Sequence, residues 1–394
     1  MAESAALLVD EVFPEQPVRQ WVLSVPYPLR FLFASRPEVM GKVLGIVYRC
    51  IATHVIHKAG FTRSTAQTGA VTLIQRFGSA LNLNIHFHML FLDGVFTERT
   101  EDGLRFHPTK APSAAELSDL AHTLAFRIGR YLECRGLLER DAENSYLVGD
   151  EIDAGPLSQL QGASITYRVA IGPQQGRKVF TLQALPANDD LTYNEAGKVA
   201  GFSLHAGVAA RADQRDKLER LCRYICRPAV SERRLSLTSN GNVRYELKTP
   251  YRDGTTHVIF EPLDFIGKLA ALVPPPRANL TRFHGVFAPN SRYRAQVTPA
   301  KRGRGSQRRA KGDLNEPTPV ERRAAMTWAQ RLKRVFNIDI ETCPVCAGAV
   351  QIIACIEDLV VIEKILTHLD AKTAEPEAPR RPPCRAPPQA SLFD

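Results

Sequence analysis

The sequence predicts an α+β fold: a central, mainly antiparallel sheet flanked by helices, with a small helical segment near the C-terminus. Three observations carry this. Strand-like runs occupy Val18 to Val25, Gly69 to Gln75 and Asn84 to Gly94, rich in apolar and β-branched residues. The second and third are joined by the short link Arg76 to Ala80, which suits antiparallel pairing. Glu38 to Lys58 sets Val39, Val43, Ile46, Val47, Ile51 and Val55 at helical spacing, and Ser113 opens a second helix to Arg135 with Glu116 completing a capping box.

The 394 residues leave room for two or three domains, and 44% hydrophobic content allows a sizeable core. A net charge of +10 and a pI near 9.3 favour a polyanionic partner, nucleic acid before a membrane surface. No apolar run reads as a membrane span and no secretion signal opens the chain, so the expected compartment is cytoplasmic. The eight cysteines are scattered, and Cys50, Cys134, Cys222 and Cys226 lie in apolar or helical contexts, as in a reduced compartment.

Taken in order, residues 2 to 13 read as a short amphipathic helix. The strand from Val18 is closed by Pro26 and Pro28, and His54 and His57 near the end of the first long helix fit surface or capping groups. Beyond the strand at Asn84, Val95 and Phe96 run out to a polar turn at Asp102-Gly103. Ser164 to Ala170 and Lys178 to Ala184 are expected to pair as a hairpin, and Phe202 to His205 is a short apolar segment. Asp213 is expected to cap a helix ending at Arg227 before Pro228, with Leu218, Leu221, Cys222 and Ile225 as its buried stripe. Val243 to Lys248 and His257 to Phe260 are extended, Pro262 to Leu272 is a helix, and His257 and His284 fit structural roles. The stretch 299 to 312 is basic and Gly-rich, and its Lys301, Arg302, Arg304, Arg308 and Arg309 suit phosphate contacts. Helices at Thr327 to Val335 and 357 to 369 bracket Cys343-Pro344-Val345-Cys346. The expected organisation is an N-terminal helix (1–17), a main domain (18–298), a basic linker (299–325), a Cys-x-x-Cys segment (326–370) and a disordered Pro- and Ala-rich tail (371–394).

Two features carry chemistry. On a strand, His86 and His88 share one face about 7 Å apart along the chain, while Ile85, Phe87, Met89 and Phe91 face a core. Paired imidazoles on a rigid, mostly dry face can grip a metal ion; the alternative is two hydrogen-bonded core histidines. Tyr224 falls beside the apolar stripe of its helix, among Arg220, Arg223 and Arg227. It is either an amphipathic edge residue or a nucleophile whose phenolate and phosphate partner use the positive charge. Cys343 and Cys346 supply two thiolates where structural zinc takes four ligands, with Cys355 as a third.

His86-Phe87-His88 resembles the His-hydrophobe-His (HUH) motif of single-strand endonucleases. The blocks Val18 to Pro28, Gly69 to Phe96, Arg223 to Pro228, Tyr251 to His257 and Arg282 to Asn290 resemble, in this order, transposases of rolling-circle insertion sequences, the branch that includes common-region (ISCR-like) elements. The resemblance implies an HUH-type sheet, His86 and His88 as ligands of Mg²⁺ or Mn²⁺, Tyr224 as nucleophile, and single-stranded DNA at element termini as partner. It also implies a third ligand, for which Gln75 is the first choice and His205 and Asp93 the next. Some members carry a second tyrosine one turn earlier; Arg220 and Leu221 stand there, as in a single-tyrosine version. Members usually begin with a Cys-rich zinc-binding domain, and Met1 falls about where it would end, as in a truncated copy. Competing readings are a replication initiator or relaxase of the same chemistry, an inactive DNA-binding remnant, and a metal-dependent hydrolase using later histidines.

Overall fold

The computed structural model describes residues 2–99, 103–140, 145–147, 155–183, 198–276, 278–301, 327–344, 346–350 and 356–372. Contacts divide the chain into two units, residues 3–308 and residues 309–394. Arg302, Arg304, Arg308, Arg309, Cys355 and the tail from 373 lie outside the described residues, as does most of the basic linker.

In the first unit, α1 (Ala2–Leu7) runs into a π-helical turn at Leu8–Val12 and then strand β1 (Val18–Ser24). Helices α2 (Tyr27–Ser35) and α3 (Pro37–Lys58) precede β2 (Ala66–Gln67), β3 (Gly69–Phe77), β4 (Leu83–Leu92), β5 (Gly94–Arg99) and β6 (Gly103–Pro108). After α4 (Ala114–Cys134) come β7 (Leu138–Arg140), β8 (Ser145–Leu147), α5 (Pro156–Ile165), β9 (Phe180–Gln183), β10 (Lys198–Val199), β11 (Phe202–Ala210) and α6 (Arg215–Ile225). Strands β12 (Leu235–Leu237), β13 (Val243–Glu246) and β14 (Thr255–Phe260), helix α7 (Pro262–Leu272), β15 (Thr281–Gly285) and α8 (Arg294–Val297) complete it.

The central sheet has six strands in the order β10-β11-β1-β4-β3-β15, every neighbouring pair antiparallel. The α+β expectation holds. Helices cover both of its faces. On one side Phe87, Met89 and Phe91 of β4 and Trp21 and Leu23 of β1 pack in one core with residues of α2, α3 and α4. On the other, Leu90, Leu92, Val71 and Leu73 meet Leu218, Leu221, Cys222 and Ile225 of α6. A strand dry on both sides reads as a near-continuous apolar run, as β4 does. The α6 stripe contributes on the order of 1.5–3 kcal/mol for each buried Leu or Ile. The N-terminal segment shares this second core through Leu8, Val9, Val12 and Phe13, and Arg215 of α6 donates to the carbonyls of Pro14 and Phe13 (3.0 Å each) and of Val9.

Several local expectations need correction. Residues 156–165 are helical, and the anticipated hairpin reduces to an isolated bridge between Arg168 and Lys178; β9 pairs with β14 instead. Asp213 does not cap α6, because its carboxylate is held by the Arg211 guanidinium at 3.1 Å and Gln214 occupies the cap position. Pro28 opens α2 rather than only closing β1, since proline fits the first turn of a helix, where its missing N–H is no loss. Helix α3 is long and apolar enough to cross a membrane, with a mean hydropathy of 1.4, contrary to the reading of the bare sequence; 56% of that window is buried within the fold. The capping box at Ser113 and Glu116 is present as expected.

The second unit contains helices Trp328–Phe336, opened by a Thr327/Gln330 capping box, and Leu359–Lys372. Between them the Cys343 amide donates to the Gly348 carbonyl, and the Ala347 amide donates to that of Cys343, both at 2.9 Å, closing a tight knuckle.

Candidate metal and tyrosine site

Strand alternation places His86 and His88 on the α6 side of β4. Their rings lie 4.9 Å apart, centroid to centroid. His86 Nδ1 donates to the Asn84 carbonyl at 2.9 Å, which leaves Nε2 as its lone-pair nitrogen. His88 is buried, with Nδ1 against Gln20 Nε2 at 2.6 Å and Nε2 against Gln75 Oε1 at 3.2 Å. Burial pushes the pKa of His88 down to about 3, helped by neighbouring His86 and Arg227. His86 is lowered as well, first by burial and then by Arg30 and Arg227, against the Asn84 bond. Both imidazoles are therefore neutral near pH 7, the form that ligates metals.

Among the described residues no group of three His, Cys, Asp or Glu side chains could hold a metal ion. Gln75 pairs with His86 across β3 and β4 and presents its amide oxygen to His88. The 3.2 Å between His88 Nε2 and Gln75 Oε1 is close to the roughly 3 Å between neighbouring donors around an ion with bonds of about 2.1 Å. His86, His88 and Gln75 are the residues here that could hold a divalent ion, His88 Nε2 giving up its proton to do so. With an ion on Nε2, a half-turn of the Gln20 amide would let its oxygen accept from Nδ1–H, the support that ligating imidazoles ordinarily have. The other two candidates stand elsewhere. Asp93 is engaged by Arg19 at 3.0 and 2.7 Å, and His205 lies opposite Val22, on the far side of β1 from His88, bonded to Ser203.

The same Gln75 amide reaches the tyrosine helix. Its Nε2 donates to the Ile225 carbonyl at 2.9 Å, one residue beyond Tyr224. Tyr224 is half-buried beside the α6 core, with the Arg227 guanidinium 4.2 Å and the Lys248 ammonium 4.7 Å from its ring centroid. Arg227 is therefore shared between the tyrosine and the field felt by both histidines. Gln75 thus links the His88 imidazole to the helix that carries Tyr224, and Arg227 and Lys248 bring two cations against the tyrosine ring.

Residues 69–294 match the family Y2_Tnp, described as "Putative transposase", over more than half of the chain. The chain belongs to this transposase family. No curated protein and no solved structure matches it. The matched span of the transposase includes His86, His88, Gln75 and Tyr224.

The remaining expected residues are dispersed. Arg220 is exposed on α6, whereas Arg223 lies 3.9 Å from Glu219 in an (i, i+4) pair. Lys301 is exposed just after α8. Cys343 and Cys346 form no disulfide among the described residues, and no third His, Cys, Asp or Glu makes a metal-binding group with them there. Gln20, Asn84, Arg30 and Lys248, which the structure sets around His86, His88 and Tyr224, were not singled out by the sequence. Gln20 alternates with Trp21 on β1, but its neighbour Arg19 is polar too, so the strand did not single it out; Lys248 follows β13, in a separate sheet, and carried no signal.

Proposed function

We propose that this transposase cuts and rejoins single-stranded DNA at the ends of a rolling-circle insertion sequence in the cytoplasm, with Tyr224 as nucleophile. The supporting observation is the Gln75 amide, which bonds His88 with its oxygen and the backbone beside Tyr224 with its nitrogen. In this reading Tyr224 Oη attacks the scissile phosphorus. The bond to the 3′-oxygen breaks, that oxygen leaves as a hydroxyl, and the 5′-phosphate stays on the tyrosine. The phosphodiester energy is kept in the phosphotyrosine, so a later 3′-hydroxyl can reverse the step without ATP. Arg227 and Lys248 balance the phenolate and the phosphate charge. His86, His88 and Gln75 would hold Mg²⁺ or Mn²⁺, which would supply Lewis-acid chemistry to the phosphate. Zinc at Cys343 and Cys346 would need ligands beyond these two thiols.

The test is a labelled single-stranded oligonucleotide from an element terminus, incubated with protein and Mn²⁺ and run on a denaturing gel. The expected result is a covalent adduct lost in both Tyr224→Phe and His86→Ala. An adduct that persists in Tyr224→Phe, or none on either terminus, overturns the assignment.

A further inference from the structure

The outer side of the helical layer carries a second concentration of positive charge. Arg49 of α3 lines two cavities at once. One, about 410 Å³, is also lined by Arg63; the other, about 440 Å³, by Arg130 and by Phe126 and Tyr131 of α4. Arg49, Arg63 and Arg130 are exposed, and none forms an ion pair among the described residues. Phe126 is 62% exposed, although the neighbouring turns of α4 bury Leu124 and Ile128 completely. Helix packing thus leaves an aromatic ring outside, on a face where cations gather around concave apolar surface.

This combination fits one chemistry. Arginines track the phosphates of a flexible strand, and an exposed ring stacks on a base of any sequence. The groove cannot serve the DNA stretch held at Tyr224. It belongs to the helices covering the Phe87 and Phe91 side of β4, whereas α6 covers the histidine side. A helix layer and the sheet, roughly 20 Å, lie between the two. We propose that the groove along α3 and α4 binds a second stretch of single-stranded DNA, held apart from the strand being cut. The proposal rests on the DNA reading above for its ligand, and on the groove alone for its location. A transposase that exchanges strands must hold more than one stretch, and this face supplies a place for the second.

The experiment is fluorescence anisotropy of an oligothymidylate of about 30 nucleotides across a salt series. In the full chain, Arg49→Gln/Arg63→Gln/Arg130→Gln is expected to reduce the slope of log K against log salt by about 2, three phosphate contacts at about 0.7 each. Phe126→Ala is expected to weaken binding about tenfold. Ultraviolet crosslinking with iodouracil-substituted strands is expected to label Phe126 or Tyr131. Unchanged slope and affinity in variants whose thermal melting matches the parent overturn the proposal, as do crosslinks confined to the Tyr224 face. Tyr224 adduct formation is scored separately. An adduct with an unchanged slope sinks the groove and leaves the chemistry standing; no adduct with a reduced slope does the reverse.

Discussion

Gln75 is the residue whose replacement separates structural from catalytic consequences. It is 5% exposed and makes two buried hydrogen bonds, to His88 Nε2 at 3.2 Å and to the Ile225 carbonyl at 2.9 Å. Gln75→Leu keeps much of the volume and removes both partners. A buried donor or acceptor left unpaired costs about 1–3 kcal/mol, so the two together cost about 2–6 kcal/mol. That is a large part of a typical domain stability of about 5–15 kcal/mol. With a urea dependence of about 3 kcal/mol per molar, the midpoint is expected to fall by about 0.7–2 M. Gln75→Glu is the informative companion. It keeps an oxygen toward His88 and adds the charge that a hard cation prefers, while losing the donor to Ile225. Metal-free Gln75→Glu is therefore expected to be destabilised like Gln75→Leu, and Mn²⁺ to restore more stability to it than to Gln75→Leu. The assay is urea unfolding followed by fluorescence, with and without Mn²⁺. Equal Mn²⁺ responses of the two variants would refute the placement of Gln75 among the ligands. A Gln75→Leu midpoint matching the parent would refute the bridging argument itself.

Three further outcomes follow from the same geometry. The folded pKa of His88 lies at about 3, below the ordinary 6.5, so as pH falls the unfolded chain takes up the proton first. Stability is then intact above pH 6.5 and lost between about 6.5 and 3, by up to about 1.4 kcal/mol per pH unit from this residue; His88→Gln should flatten the dependence measured by urea unfolding between pH 8 and 5. Asp93→Ala strands the buried Arg19 guanidinium, which should cost about 3–5 kcal/mol in unfolding experiments and leave Mn²⁺ affinity measured by calorimetry unchanged. Gly285 has φ +60° and a Cβ there would meet the Thr68 carbonyl at 2.0 Å and Tyr48 Oη at 2.1 Å, so Gly285→Ala should cost more than about 1 kcal/mol and lower the melting temperature by detaching the edge strand β15.

The parts of this protein legible in its sequence are those written in local period. Alternation put His86 and His88 on one face of β4 and Phe87 and Phe91 on the other. Helical spacing picked out the buried stripe of α6 and the long α3, and a Ser113/Glu116 pair marked the start of α4. Period assigns a face to each element, but not the element that covers it. Only the tertiary structure decided that α6 lies over the histidines, because that follows from the joint burial of Leu218, Leu221 and Ile225 with Leu73 and Leu90. Only register could bring Gln20 and Gln75, from strands on either side of β4, to the two nitrogens of His88. The reach from Gln75 to Ile225 spans 150 positions. No local pattern encodes such a bond, because its partners become neighbours only after the apolar faces around them have packed.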